Sequence, residues 1–178
     1  MEFGKIERVT LPKMLVASYE VTSNAPEGTA IEFMENWLRK KGLKISENGT
    51  KVQKIGENGV RGFGFDCHKG RNIPNGSRIY HVYYSVPESF KGDSDVEIKE
   101  FSGGDFARII VTDPFSGDFP SAWNKLLKWT FENNVVNGLG CTSPNDCYSL
   151  FSNEETPCLE ELYSENGIQY MAFYLPIK

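Results

Sequence analysis

The residues best suited to chemistry lie near the carboxy-terminal end, in Leu159-Glu160-Glu161-Leu162-Tyr163. On a strand, Leu159, Glu161 and Tyr163 share one face while Glu160 and Leu162 share the other. A carboxylate set among rings is costly unless hydrogen-bonded or paired, and a cationic ligand can supply the missing partner. On the residues alone, an exposed Glu160-Glu161 pair is the simpler reading. Aromatic residues are the second feature, with twelve Phe, eight Tyr and three Trp. Tyr19, Phe63, Phe65, Tyr83, Trp123, Tyr148, Tyr163 and Phe173 are candidates to line a groove that stacks on flat or cationic molecules. Ordinary core packing is the plain alternative for each ring.

Other chemistry finds less support. Cys67, Cys141, Cys147 and Cys158 form no Cys-x-x-Cys pair, and the chain has only His68 and His81, so neither a metal site nor a cofactor is expected. In Asp66-Cys67-His68, neighbouring strand residues point to opposite faces, which defeats a nucleophile and base pair. Gly59-Val60-Arg61-Gly62-Phe63-Gly64 lacks the spacing of a dinucleotide or Walker phosphate loop. Acidic residues outnumber basic ones 24 to 19, for a net charge of -5. The largest basic cluster, Arg39-Lys40-Lys41, closes a helix, so nucleic acid is not an expected partner. The first residues contain no apolar leader, and no apolar run approaches the roughly 18 residues of a membrane span. A cytoplasmic location with no membrane partner follows, and Asn48-Gly49-Thr50 and Asn75-Gly76-Ser77 then read as turns rather than glycan sites.

The elements that must position these residues come in a regular order. A helix is expected from about Glu27 to Lys41, with Ala30, Met34, Trp37 and Leu38 inward, Thr29 and Glu32 as a capping box and Gly42 as its stop. A second runs from about Pro120 to Asn133, with Asp118 as its cap and Ala122, Trp123, Leu126, Leu127 and Thr130 inward. Strand patterns cover Glu7 to Val21 (bent at Pro12), Ile79 to Val86, Val96 to Thr112 (hinged at Gly103-Gly104), Leu159 to Tyr163 and Gln169 to Ile177. A chain of 178 residues fits one domain over 1–178. The predicted class is α+β: two β-α-β-β repeats (about 7–87 and about 96–177) related by a pseudo-twofold axis, with antiparallel sheets, one main helix per repeat and a groove between them. Leu43 to Val60 reads as an exposed excursion and Asn137 to Cys147 as a loop around a tight turn.

Four segments, in this order and spacing, resemble the GyrI-like (gyrase-inhibitor-like) small-molecule-binding domains, the effector-binding half of several multidrug-responsive transcription regulators. Phe101-Ser102-Gly103-Gly104-Asp105-Phe106-Ala107 is similar to the family's Gly-x-Tyr-Ala strand, with Phe106 in place of tyrosine. Phe119 to Trp129 resembles its Ala-Trp-x-x-Leu-x-x-Trp helix. Pro157-Cys158-Leu159-Glu160-Glu161-Leu162-Tyr163 resembles its Pro-x-x-Glu-x-Tyr strand, here with two glutamates, and Tyr174-Leu175-Pro176-Ile177 its Pro-Ile terminus. The chain offers no room for the regulators' helix-turn-helix segment.

The resemblance turns the surface glutamate into a groove residue. It implies that Glu161, with Tyr163, faces a ligand groove flanked by Trp123, Tyr83, Phe65, Tyr19 and Phe173. The leading function is then capture of a small aromatic or cationic molecule by a stand-alone binding protein. The resemblance implies two alternatives. One is a hydrolase opening strained cyclopropane rings of DNA-alkylating natural products, with Glu161 as acid or base and Tyr163 as helper. The other is an interaction module with a protein partner such as a DNA-processing enzyme.

Overall fold

In the computed structural model the strand-rich runs among the described residues pair into one antiparallel sheet of nine strands. The structure describes residues 1–44, 60–118, 120–135, 143 and 151–178. Most of the excursion expected over 43–60, most of the loop expected over 137–147, and Tyr148 lie outside the described residues. The strands are β1 (Glu2–Phe3), β2 (Glu7–Leu11), β3 (Met14–Ser23), β4 (Gly62–Asp66), β5 (Arg78–Ser85), β6 (Glu97–Phe101), β7 (Gly104–Thr112), β8 (Leu159–Glu165) and β9 (Ile168–Pro176). Their order across the sheet is β1-β7-β9-β8-β4-β5-β3-β6, with β2 also on β7. The β4–β8 junction joins the two expected strand sets into one sheet. Its register rests on one pair, Gly64 opposite Glu160. Between β8 and β9, Asn166 (φ 52°) and Gly167 (φ 77°) both take the left-handed conformation of a tight hairpin turn.

Helix α1 (Pro26–Lys40) lies on β3 and β5, and α2 (Pro120–Glu132) lies on β7 and β9. The side chains expected inward from both helices are all buried. Trp37 adds a hydrogen bond from Nε1 to Asp93 at 2.9 Å. The expected capping box does not form: proline starts α1 at Pro26, placing Thr29 and Glu32 inside the helix. Apolar residues of β7 and β9 meet α2, and those of β3 and β5 meet α1. The other face of the sheet carries a third cluster with Phe63, Phe65, Tyr83, Phe106 and Tyr174. No helix among the described residues is long and apolar enough to cross a membrane.

Candidate functional site

Between the two helices, β4, β5 and β8 floor a cavity of about 940 Å³. Alternation along β5 turns Tyr80, Val82 and Tyr84 toward the helix side, where they join the α1 cluster. The glycines of β4 make room for two of these rings. A Cβ on Gly62 would overlap the ring of Tyr84, and one on Gly64 would overlap the hydroxyl of Tyr80. Tyr80 therefore lies across β4, and its hydroxyl donates to Oε2 of Glu160 on β8 at 3.2 Å. From α2, Trp123 Nε1 donates to Oε1 of the same carboxylate at 3.1 Å. Phe173 supports that indole edge-on, with centroids 5.2 Å apart and planes at 82°.

The electrostatics follow from this enclosure. Burial pushes the Glu160 carboxyl up to about 7; the hydrogen bond from Trp123 opposes the rise, and Asp66 adds to it. Burial and the nearby Glu160 also hold the Tyr80 phenol well above its usual value, so it remains a donor. Among the described residues the lining carries four carboxylates, Glu27, Glu35, Asp66 and Glu160, against one guanidinium, Arg78. Arg78 is engaged by Glu27 and lies 3.9 Å from Asp66. Among the described residues no lysine or arginine pairs with Glu160.

Glu161 occupies a different environment. It is 1% exposed and points away from the cavity. Arg61 grips it at both oxygens, Nε to Oε1 at 2.8 Å and Nη2 to Oε2 at 2.9 Å, and Tyr174 donates its hydroxyl to Oε2 at 2.6 Å. A carboxylate with a bidentate guanidinium and a phenol has its partners already. The structure thus corrects the expected groove carboxylate from Glu161 to its neighbour. The strand alternation holds, but the face that opens to the cavity is the one carrying Glu160.

The expected rings divide accordingly. Trp123 is in the cavity wall, and Phe65 borders the floor while its ring stacks on His81 on the far side, at 5.2 Å and 18°. Tyr163 is outside the cavity lining and stacks on Tyr170 at 5.4 Å and 16°. Tyr83 faces the far side and donates its hydroxyl to Glu154 at 3.2 Å. Tyr19 stacks on Phe33 of α1 at 3.9 Å. Sequence reasoning missed Glu160, Tyr80 and Tyr84. The available signal was the i, i+4 spacing of the two tyrosines on β5 beside two glycines of β4, Gly62 opposite Tyr84 and Gly64 opposite the intervening Val82.

On that far face, donor atoms of Glu20, Cys67, His81 and Glu154 lie within 4.8 Å of one another, a set able to hold a metal. Burial, with Lys99 adding, lowers His81 to about 4, so the imidazole is neutral at neutral pH.

The sequence matches no family model and no curated protein. Solved structures do share the fold. The EcmrR C-terminal domain aligns with a TM-score of 0.63 at 11% identity, over 100% of this chain and 99% of that one. EcmrR in its complex with DNA aligns at 0.62 and 12% identity, over 99% of this chain and 57% of that one. A hydrolase from Listeria innocua aligns at 0.57 and 12% identity, over 98% and 92% of the two chains. With its antiparallel sheet, its two helices on one face and these neighbours, the chain has the fold of the GyrI-like effector-binding domains.

Proposed function

We propose that the chain is a small-molecule-binding protein that takes a flat aromatic cation into the cavity between α1 and α2. The observation that carries this reading is Glu160, a carboxylate in the cavity floor held by Trp123 and Tyr80 and paired with no base among the described residues. A bound cation supplies the missing charge partner, and the faces of Tyr80, Tyr84 and Trp123 supply dispersion and cation–π attraction. The acidic lining favours cations over anions of the same shape. Binding of a planar cationic dye and of an uncharged analogue of the same outline, measured by calorimetry, tests this. Glu160→Gln should weaken the cation by at least roughly tenfold, or about 1.4 kcal/mol, and leave the neutral analogue nearly unchanged. Equal loss for both removes charge recognition from the reading.

The same carboxylate favours a second reading, because an acid raised to about 7 exchanges its proton at neutral pH. Glu160 would then activate water against a strained-ring alkylating compound held by the rings. Turnover of such a compound that disappears in Glu160→Gln supports this reading. Intact compound after long incubation with the wild-type chain dismisses it.

A further inference from the structure

The sheet face away from the helices holds a cluster that ligand capture does not use. Glu20 of β3 and His81 of β5 stand opposite each other in the ladder. Cys67 directly follows β4, and Glu154 comes from the segment leading into β8. His81 is 4% exposed. Its Nε2 is 2.6 Å from Ser18 Oγ, while its Nδ1 makes no hydrogen bond. That nitrogen instead faces Glu154 Oε1 at 3.4 Å and Glu20 Oε2 at 3.6 Å. The other oxygen of each carboxylate is taken: Lys99 and the Tyr83 hydroxyl bind Glu154 Oε2, and Arg71 binds Glu20 Oε1 at 2.7 Å. Each carboxylate is therefore anchored by one oxygen and turns the second toward the imidazole. Deprotonated at Nδ1, the imidazole turns a lone pair toward the same point as these two anionic oxygens, and a cation at that point takes all three as ligands.

We propose that Glu20, Cys67, His81 and Glu154 bind one divalent transition-metal ion of the zinc class. One sulfur, one nitrogen and two oxygens form a borderline donor set that suits zinc or cobalt and not magnesium or calcium. Ligand atoms around a tetrahedral zinc stand roughly 3.3–3.8 Å apart. A cluster within 4.8 Å thus closes on the ion by small side-chain shifts. The Ser18 contact fixes the ring orientation, as outer partners of metal-bound histidines do. Metal binding displaces the Cys67 proton to solvent. A surface cleft rimmed by Asp93, Asp95 and Glu97 reaches the cluster and gives a cation an acidic entry path. Bound there, the ion ties β3, β4 and β5 to the segment entering β8.

Titration of the chelator-treated full chain with Co²⁺, followed by absorption, tests the site. The expected result is one ion per chain, with visible bands of a four-coordinate centre and a thiolate-to-cobalt charge-transfer band. Zn²⁺ should displace the cobalt and raise Tm, and Mg²⁺ should do neither. The charge-transfer band should vanish in Cys67→Ser and persist in Cys158→Ser and in a Cys141→Ser/Cys147→Ser double variant. Glu154→Gln, a change at a partly exposed residue, should weaken binding by at least roughly tenfold while circular dichroism and Tm without metal stay near wild type. No saturable binding by the wild-type chain, a charge-transfer band that survives Cys67→Ser, or unchanged affinity in Glu154→Gln each overturns the proposal.

Discussion

Glu160 and Glu161 are adjacent in sequence and opposite in circumstance, and the difference sets what each does to stability. Glu161 is satisfied by Arg61 and Tyr174, so the cost of its burial is offset by charge-assisted hydrogen bonds. Arg61→Met strands that carboxylate in the interior, and chemical denaturation should show a loss of about 3–5 kcal/mol. An Arg61→Met/Glu161→Leu double variant should recover much of the loss, since no buried charge is left without a partner. Glu160 has the reverse sign. Its folded-state value near 7 lies above the roughly 4.3 of an unfolded glutamate. Folding therefore favours its protonated form, and stability falls as pH rises through the interval between the two values. Measured at about pH 5 and about pH 8, wild type should lose roughly 2–3 kcal/mol relative to Glu160→Gln. An unchanged difference would show that the carboxyl titrates normally. In the same interval the ionised fraction grows, so affinity for a cation should rise with pH.

At the scale of elements, the floor of the cavity depends on two glycines of β4 lying under two tyrosines of β5. Gly64→Ala drives a methyl group into the Tyr80 hydroxyl and should lower stability by about 1–3 kcal/mol. In a Tyr80→Ala background the same change should cost much less, a coupling that thermal unfolding of the four combinations reads directly. The helices and most strands were legible, because their apolar spacing and their stops at Gly42 and Pro87 are local signals. The start of α1 fell within one residue of its expected place, but the capping there was not legible, because Pro26 at the first turn outweighs a Thr-x-x-Glu pattern three residues later. The Gly-rich strand β4 was also faint, since glycine carries little strand propensity. The alternation of β8 was legible, but which of its faces opens to the cavity was not. Both faces of the central strands are covered by apolar residues, so periodicity separates Glu160 from Glu161 without ranking them. Nor does any local pattern announce that Arg61, 100 residues away, is the partner of Glu161.

For the whole molecule, the place of the cavity matters as much as its lining. It straddles the β4–β8 junction, where a single register pair joins the two sides of the sheet. The proposed ligand on that floor would touch β4, β5, β8 and both helices at once and add contacts across this single-pair seam. Amide hydrogen exchange with a planar cation bound should therefore slow over Gly62–Asp66 and Leu159–Leu162 more than along the β3–β6 edge. A change confined to that edge would point to the cleft near Glu20 and Glu154 instead. The excess of carboxylates on the cavity lining also has the sign of the whole chain, whose net charge is -5. Long-range and local fields thus have the same sign.

The most direct measurement is a crystal structure of the chain soaked with a planar aromatic cation. Density stacked among Tyr80, Tyr84 and Trp123, with its charged group in contact with Glu160, is the result expected. Density on the far face beside Glu154, or at Glu161 after displacement of Arg61, would contradict the assignment of the cavity and its carboxylate.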